Sequence, residues 1–569
     1  MKLARAGRAL LWCAEAATKS CTRPITPLNQ SRLLQNRTMS VWTKDNTFRS
    51  PAPDVDIPNV SFAEYMFSKC DKYQDLPAVT DFSSGRSYTY SLLKASAIKL
   101  ASALTKLGYK KGDVIAVFSV NMPEYSILMI AAASIGVIIT PANPAYTAGE
   151  LANQLEHSKA QAVFTIPQLL PVLQEALSLN STVKNNIKDK FIFGEGEGCK
   201  PVQSLLNDDG KSMPDVDIDV NNDILVLPYS SGTTGLPKGV MLTHRNCISN
   251  LLQFSSVTDI KETEDVMLGI LPFYHIYGMM PVQFGCLHRG CHLVTLPKFD
   301  PAEFMKALQE YKISQLHVVP PIVLFMAKHP MVDQFDLSSL RFVVSGAAPL
   351  GEGLSKGFMD RTKAPIYQGY GLTETSPVVN IDYAPGKTGS TGPIVPNSTG
   401  KICDIETGKT LGVGEEGEYC VKGPQVMKGY LDNQQATDAM IDKDGWLHTG
   451  DIGYVDESGV LVIEDRLKEL IKYKGFQVPP AELEALLLTH PNVQDAAVIG
   501  IADPEAGELP KAYIVPKSDS KLTSQCVTEF IQERVSHYKR LRGGVQFVDA
   551  IPKSPSGKIL RRVLKDVAV

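Results

Sequence analysis

Five short clusters hold the residues best suited to chemistry. The first is YSSGTTGLPKG, Tyr229 to Gly239. It gathers the hydroxyls of Ser230, Ser231, Thr233 and Thr234, the glycines Gly232 and Gly235, and the charge of Lys238. A glycine-rich turn following an apolar strand exposes successive backbone N–H groups, which form a nest for an anion. The hydroxyls add donors, and a lysine adds a point charge suited to phosphate. The spacing differs from the P-loop, in which Gly-Lys-Ser/Thr opens a helix; here Pro237 precedes the lysine. A surface loop rich in turn residues has the same composition. The density of hydroxyls directly after DILVLPYS favours phosphate handling.

The second cluster is SGAAPL (Ser345–Leu350) followed by IYQGYGLTETSP (Ile366–Pro377). Small residues at Gly346, Ala347 and Ala348 let a planar group approach the backbone. Tyr370 offers an aromatic face, and Glu374 an oxygen ligand for Mg²⁺, an ion that keeps waters and bridges to phosphate oxygens. In the third, GWLHTGDIGYVDESG, Asp451 stands between two glycines. A carboxylate there could accept hydrogen bonds from two ribose hydroxyls, as in dinucleotide-binding folds, or could sit in a hairpin turn. The fourth, EDRLKELIKYKGFQV (Glu464–Val478), brings Arg466, Lys468, Lys472 and Lys474 close together. Lys468 and Lys472 share a face if the segment is helical. The last is PKSPSGKILRR, in which Lys558 follows Ser-Gly in a loop free to swing.

The elements that must position these clusters are legible as apolar runs. VIAVFSV (114–120), QAVFTI (161–166), KFIFG (190–194) and LRFVVSG (340–346) read as strands, each followed by a helical stretch or a loop. Strands alternating with helices imply parallel sheets with crossovers. EEGEYCVKGPQVMKGY (415–430) reads as short strands with glycine turns. The texture changes near Asp465. AELEALLLTHP then reads as an amphipathic helix, and AAVIGI and KAYIVPK as strands, a small α+β unit of ordinary domain size. The boundary falls at Asp465–Lys468.

The chain has 569 residues, 44% hydrophobic and 21% charged, with a net charge of −4. That composition is globular and exerts no global pull toward nucleic acid or an anionic membrane. ILMIAAASIGVII is too short to span a bilayer and reads as a buried helix. Ten cysteines without a CxxC pair argue against a zinc site or a disulfide scaffold and suit a reducing compartment. Residues 1–40 carry seven Lys/Arg against the single acid Glu15. This arginine-rich, acid-poor pattern is that of a mitochondrial transit peptide, with a disordered tail as its rival and Met39 as an alternative start. Cytoplasmic or peroxisomal residence is the alternative, although DVAV is no SKL-type signal.

Taken in order, YSSGTTGLPKGV, LPFYHIYG, SGAAPL, QGYGLTE, GWLHTGD, DRLKELIKYKGFQVPPAELEALL and PKSPSGK resemble the AMP-forming adenylating superfamily, in its 4-coumarate–CoA ligase and luciferase branch. The resemblance covers the chain after about Thr47. It implies a large N-terminal α/β domain (47–464) of several subdomains, with parallel sheets and a small β-barrel. A hinge (465–468) then leads to a small mobile α+β domain (469–569). It also implies a carboxylic acid, ATP, Mg²⁺ and coenzyme A as reactants and helpers. Under it, Ser230 to Lys238 hold phosphates, while Gly346 to Ala348 with Gln368, Gly369 and Tyr370 line the adenine. Thr373 and Glu374 face phosphate and magnesium, and Asp451 and Arg466 hold the ribose. Lys558 meets the reacting carboxylate and α-phosphate, and Asp465 and Lys468 form the hinge. Lys298, Lys474 and Gly475 border coenzyme A. His275 and Tyr277 border the acyl pocket, which His317, Val378 and Val379 shape. The sequence departs from the plant ligases at Pro281, His317 and VPPAE, so the acid need not be 4-coumarate. A luciferase-like monooxygenase shares every motif, and a catalytically dead binder is the third reading, which the intact Lys558, Glu374 and Asp451 oppose.

Overall fold

The computed structural model describes residues 41–230, 237–382, 390–466, 469–474, 476–518, 520–535, 537–553 and 559–567. Among these, four sheets order the chain.

The first sheet has parallel strands Ile138–Ala142, Val114–Phe118, Ala162–Thr165 and Asp189–Ile192 at its centre. Its far edge is a hairpin of Tyr229–Ser230 and Lys238–Thr243. The second runs Val378–Ile381, Ile366–Gly371, Phe342–Ser345, Gln315–Val318, Val266–Gly269, His292–Thr295, Pro77–Asp81 and Ser87–Thr89, parallel through its middle. Both parallel cores are runs of Val, Ile, Leu and Phe buried on either face, as crossover helices require. The helix Pro123–Ser134 lies between layers. Its proline is pre-set for a first helical turn, and every residue but the last is buried. The apolar run read as a buried helix is therefore one, and its end continues as the strand from Ile138. Among the described residues no helix is long and apolar enough to cross a membrane.

The expected small β unit is a five-stranded antiparallel sheet, Phe48–Arg49, Thr399–Cys403, Gly417–Lys422, Leu447–Val455 and Leu461–Arg466. One face packs Phe48, Ile402, Tyr419, Val421 and Leu461 into a core of their own. The chain leaves this sheet after Arg466 and enters the C-terminal sheet at Ile471. There Ile471–Tyr473 and Phe476–Val478 form a hairpin beside the long pair Val493–Asp503 and Gly507–Pro516, covered by the helix Pro480–Leu488. The condition under which Lys468 and Lys472 would share a helical face is not met: Lys472 lies in a strand, and Lys468 lies outside the described residues. Alternation in IKYKGFQV around Lys-Gly fits a tight hairpin better than a helix.

One helix organises the site from behind. His244–Val257 starts with a reciprocal cap: Asn246 N–H donates to Thr243 Oγ1 (3.2 Å), and Thr243 N–H to Asn246 Oδ1 (2.9 Å). Asn246, Asn250 and Gln253 follow at helical spacing, all buried. Asn246 Nδ2 donates to Pro424 and Val426 carbonyls, both at 2.8 Å. Asn250 exchanges two hydrogen bonds with the backbone of Val378 (2.7 and 3.0 Å). Gln253 Nε2 donates to the Pro396 carbonyl (2.8 Å). Buried amides earn their place only when satisfied, and here they tie three loops to one helix.

Candidate functional site

The glycine-rich loop is closed as a hairpin. Tyr229 pairs with Gly239 and Ser230 with Lys238, so the ladder brings the first hydroxyl and the lysine to the loop's mouth. Ser231, Gly232, Thr233, Thr234 and Gly235 lie outside the described residues. Lys238 Nζ stands 5.0 Å over the ring of Tyr430, whose strand pairs with Lys238–Thr243. The Tyr430 hydroxyl donates to Glu374 Oε1 at 2.8 Å. One tyrosine therefore gathers the loop's cation and the buried carboxylate from segments more than a hundred residues apart. Nothing in the sequence marked Tyr430 beyond its place at the end of a short strand run.

Glu374 sits in a single 3₁₀ turn, Thr373–Thr375, and is 5% exposed. A buried carboxylate beside a hydroxyl-bearing threonine, joined through Tyr430 to a lysine, suits a hard divalent ion that bridges to phosphate.

Behind this corner opens an apolar cleft of about 560 Å³, open space at its mouth included. His275, Tyr277, His317, Gly346, Ala347, Gly369, Tyr370, Thr373 and Val378 line it, with Pro281 and Phe254. Val379, expected there, faces instead the core of the small sheet, as the strand's alternation dictates. Gln368 is buried outside the lining and accepts from Leu350 N–H (3.0 Å), so it holds the Gly346–Leu350 loop rather than lining the cleft itself. A Cβ at Gly346 would come within 3.0 Å of the Tyr277 ring, which is why the backbone can pass so close. Ala347 takes φ +70°, a strained conformation for a residue with a side chain; Ala348 follows it, half-buried.

Tyr370 and Asp451 are one unit. Tyr370 Oη donates to Asp451 Oδ2 at 2.6 Å. Asp451 is 3% exposed in the middle of strand Leu447–Val455, so it is not in a hairpin turn. Its register partner is Arg466. The side chains of Arg466 and Asp465 lie outside the described part. Burial, and then the Asp451 charge, push the Tyr370 phenol well above its ordinary range, so it remains a donor.

Deeper in, Tyr277 Oη lies 3.3 Å from His317 Nδ1. The rings meet edge to face at 5.7 Å. His317 is 1% exposed, and burial holds its imidazole down to about 4, so it is neutral near pH 7. Its Nε2 is buried without a hydrogen-bond partner among the described residues. His275 Nδ1 accepts from Tyr277 N–H (3.3 Å). Pro281 lies within Gly278–Phe284, a wide π-type turn that spares the hydrogen bond proline cannot donate.

The remaining cations lie elsewhere. Lys298 is exposed on the loop after His292–Thr295 and does not line the cleft. Lys474 is exposed at the Lys474-Gly475 turn with φ +46°; Gly475 lies outside the described residues. So does Lys558, but the feet of its loop are fixed: Lys553 bridges Ile559, and Leu560 N–H donates to the Pro552 carbonyl (2.8 Å).

Comparison with known proteins agrees with this geometry. Residues 66–431 match the model of the AMP-binding enzyme family, and residues 482–558 that of the AMP-binding enzyme C-terminal domain. The chain is 42% identical over 536 residues to 4-coumarate–CoA ligase 2 of Nicotiana tabacum, covering 92% of this chain and 97% of that one. It superposes on ATP-bound MatB from Rhodopseudomonas palustris with a TM-score of 0.81 at 27% identity, over 89% and 99% of the two chains. With o-succinylbenzoate CoA synthetase from Bacillus subtilis, solved with its acyl-adenylate intermediate, the TM-score is 0.75 at 26% identity, over 88% and 98%.

Proposed function

The chain belongs to the AMP-binding enzyme family, and from that premise we propose that it is an acid–thiol ligase. It activates a carboxylic acid with ATP and passes the acyl group to coenzyme A. In the first step a carboxylate oxygen attacks the α-phosphorus of ATP, and the bond to the β-phosphate oxygen breaks, releasing pyrophosphate. In the second the coenzyme A sulfur attacks the acyl carbon, its proton is lost, and AMP leaves. Neither step needs a nucleophile from the protein. Positioning and charge compensation carry both.

The observation that carries the reading is that Tyr370 and Thr373 line one cleft, with Tyr370 bonded to Asp451 and with Glu374, next to Thr373 in the chain, bonded by the Tyr430 whose ring lies under Lys238. Lys238 and Ser230 hold the pyrophosphate end of ATP. Tyr370 and the Gly346–Ala348 backbone pack against the base, and Asp451 takes the ribose. Glu374 is the residue to hold Mg²⁺, which when bound offsets the charge of the phosphates. Lys558 supplies the positive charge at the bond being made, swung in by rotation about 465–468. Lys474 and Gly475, with Lys298, meet coenzyme A. The acid is of fatty or aryl type, because Phe254, Ile276, Val344 and Val378 give the pocket apolar walls. The basic segment 1–40 is a mitochondrial address, testable by fusing it to a fluorescent protein.

The first test is a pyrophosphate-release screen over fatty, cinnamic and benzoic acids, with and without coenzyme A. A ligase gives AMP and a thioester that depends on coenzyme A. Light from luciferin, ATP and oxygen with no thioester would instead mark the monooxygenase that shares these motifs.

A further inference from the structure

On the small antiparallel sheet a second cluster of ligating groups lies apart from the cleft. Ile402, Tyr419 and Val421 point into that sheet's core, so their neighbours Cys403, Glu418 and Cys420 share the opposite face. The next strand places His448 directly beside Cys420. Cys420 Sγ is 3.7 Å from Cys403 Sγ and 3.4 Å from His448 Nδ1, and that nitrogen is 2.8 Å from Glu418 Oε2. The ligand atoms of Glu418, Cys420 and His448 all lie within 4.8 Å of one another.

We propose that Glu418, Cys420 and His448, whose ligand atoms already converge, form a site for a zinc-class divalent ion, with Cys403, beside Cys420, turning in as the fourth, tetrahedral ligand. Zinc bonds of about 2.3 Å to sulfur and about 2.0–2.1 Å to nitrogen put tetrahedral sulfurs roughly 3.8 Å apart, and sulfur and nitrogen roughly 3.6 Å apart. The spacings found, 3.7 and 3.4 Å, are close to those edges. Outer partners are in place as well. His448 Nε2, the nitrogen left over if Nδ1 ligates, lies 3.5 Å from Asp442 Oδ2. Glu418 Oε1, the oxygen left over, accepts from Gly450 N–H at 3.0 Å. A ligating imidazole held by a carboxylate and a ligating carboxylate held by an amide are the supports metal sites use.

A Cys403–Cys420 disulfide fits the same sulfurs less well. In the ladder Cys403 faces Glu418 and Cys420 faces Lys401, so the cysteines are a diagonal pair. Diagonal neighbours stand about 7–8 Å apart, beyond the roughly 4.4–6.8 Å that a disulfide spans between Cα atoms. Both cysteines are buried, while the His448 side chain is 31% exposed and leaves a path for the ion. Two thiolates and a carboxylate exceed a dication by one charge, and Lys401 stands on the same face to offset it. The sites on Gly417–Lys422 and Leu447–Val455 would pin the strand that carries Asp451 three residues beyond His448.

The test is a titration of the full-length, chelator-treated protein with Co²⁺ alone, followed by absorption. One equivalent should give thiolate-to-cobalt charge-transfer bands in the near ultraviolet and the strong visible bands of a tetrahedral ion. Cys420→Ser and Cys403→Ser should lose the charge-transfer intensity, and Cys526→Ser, at an exposed thiol, should keep it. Asp442→Asn leaves all four ligands and should weaken cobalt binding about 10- to 100-fold, even if the cysteine variants fold poorly. A wild type without sulfur–cobalt bands, bands that survive Cys420→Ser in folded protein, or an unchanged affinity in Asp442→Asn would each overturn the site. So would thiol titration showing Cys403 and Cys420 already joined.

Discussion

In the large N-terminal region several site groups are held from behind. Tyr430 fixes Glu374, Tyr370 meets Asp451, and Asn250 clasps the backbone of Val378. In the C-terminal unit Lys474 is exposed at a hairpin tip, and the Lys553–Ile559 bridge joins the two ends of the segment that carries Lys558. What is buried there is the base of that loop. Arg561 bonds Glu469 Oε2 at 2.9 Å and Glu484 Oε2 at 3.1 Å, reaching from the end of the Lys558 loop to the residue just past the proposed hinge. Burial pushes the Glu484 carboxyl above its ordinary range even with Arg561 beside it. The contrast separates two tasks. Groups that recognise ATP need fixed geometry, so they grow from the core. Under the proposed function, groups that must serve two steps need reach, and the buried Arg561 anchors the base from which Lys558 would reach.

The largest effect should come from cutting the anchor. Arg561→Ala leaves two carboxylates without their cation, an uncompensated burial worth about 3–5 kcal/mol. Hydrogen exchange should rise across 469–567 and stay unchanged around the cleft. Next, Asp451→Asn removes a charged acceptor on the ATP side. It should lower kcat/KM for ATP roughly 100-fold, with the rate of thioester formation from supplied adenylate much less affected. Tyr430→Phe should cost about tenfold in adenylation, because Glu374 loses the Tyr430 hydroxyl donor and Lys238 keeps its ring.

The smallest effect concerns pH. His317 stays neutral in the fold down to about 4, whereas in the unfolded chain it takes a proton below about 6.5. The unfolded state then binds more protons, so the stability due to the neutral fold is complete above 6.5 and is lost as pH falls toward 4. His244 and His292 are held down to about 4 by burial in the same way. Replacing His317 by Phe should therefore remove about 1 kcal/mol of the stability lost between pH 7 and about 5.5, read by denaturant titration at both values.

Apolar runs made the strands at Val114, Ala162 and Phe342 legible, because a buried parallel strand has no polar face to hide it. The second motif cluster, Gly346, Ala347 and Gly369 to Thr373, lines the cleft. Pairing was not legible. No local signal says that Ser230 faces Lys238, that Asp451 lies in mid-strand, or that Tyr430 joins Lys238 to Glu374, since each depends on registers between distant segments. Whether Lys472 lies on a helix or a strand was not legible either, because basic residues four apart occur equally in a hairpin whose turn is Lys-Gly. The amides Asn246, Asn250 and Gln253 did carry a signal, polar residues at helical spacing in an otherwise apolar region, and it points to loops they hold rather than to a ligand. The lack of a CxxC pair argued against zinc, yet cross-strand pairing brings Cys403 and Cys420 together from seventeen residues apart.

The division of labour is tested most directly with Lys558→Ala, assayed in both half-reactions. The N-terminal cleft should still bind ATP with unchanged Kd, and thioester should form from pre-made adenylate at close to the wild-type rate. ATP–pyrophosphate exchange should fall by about 10²- to 10³-fold, the size expected for losing one charge-stabilising group. Exchange at the wild-type rate, or an equal loss in both half-reactions, would contradict the account.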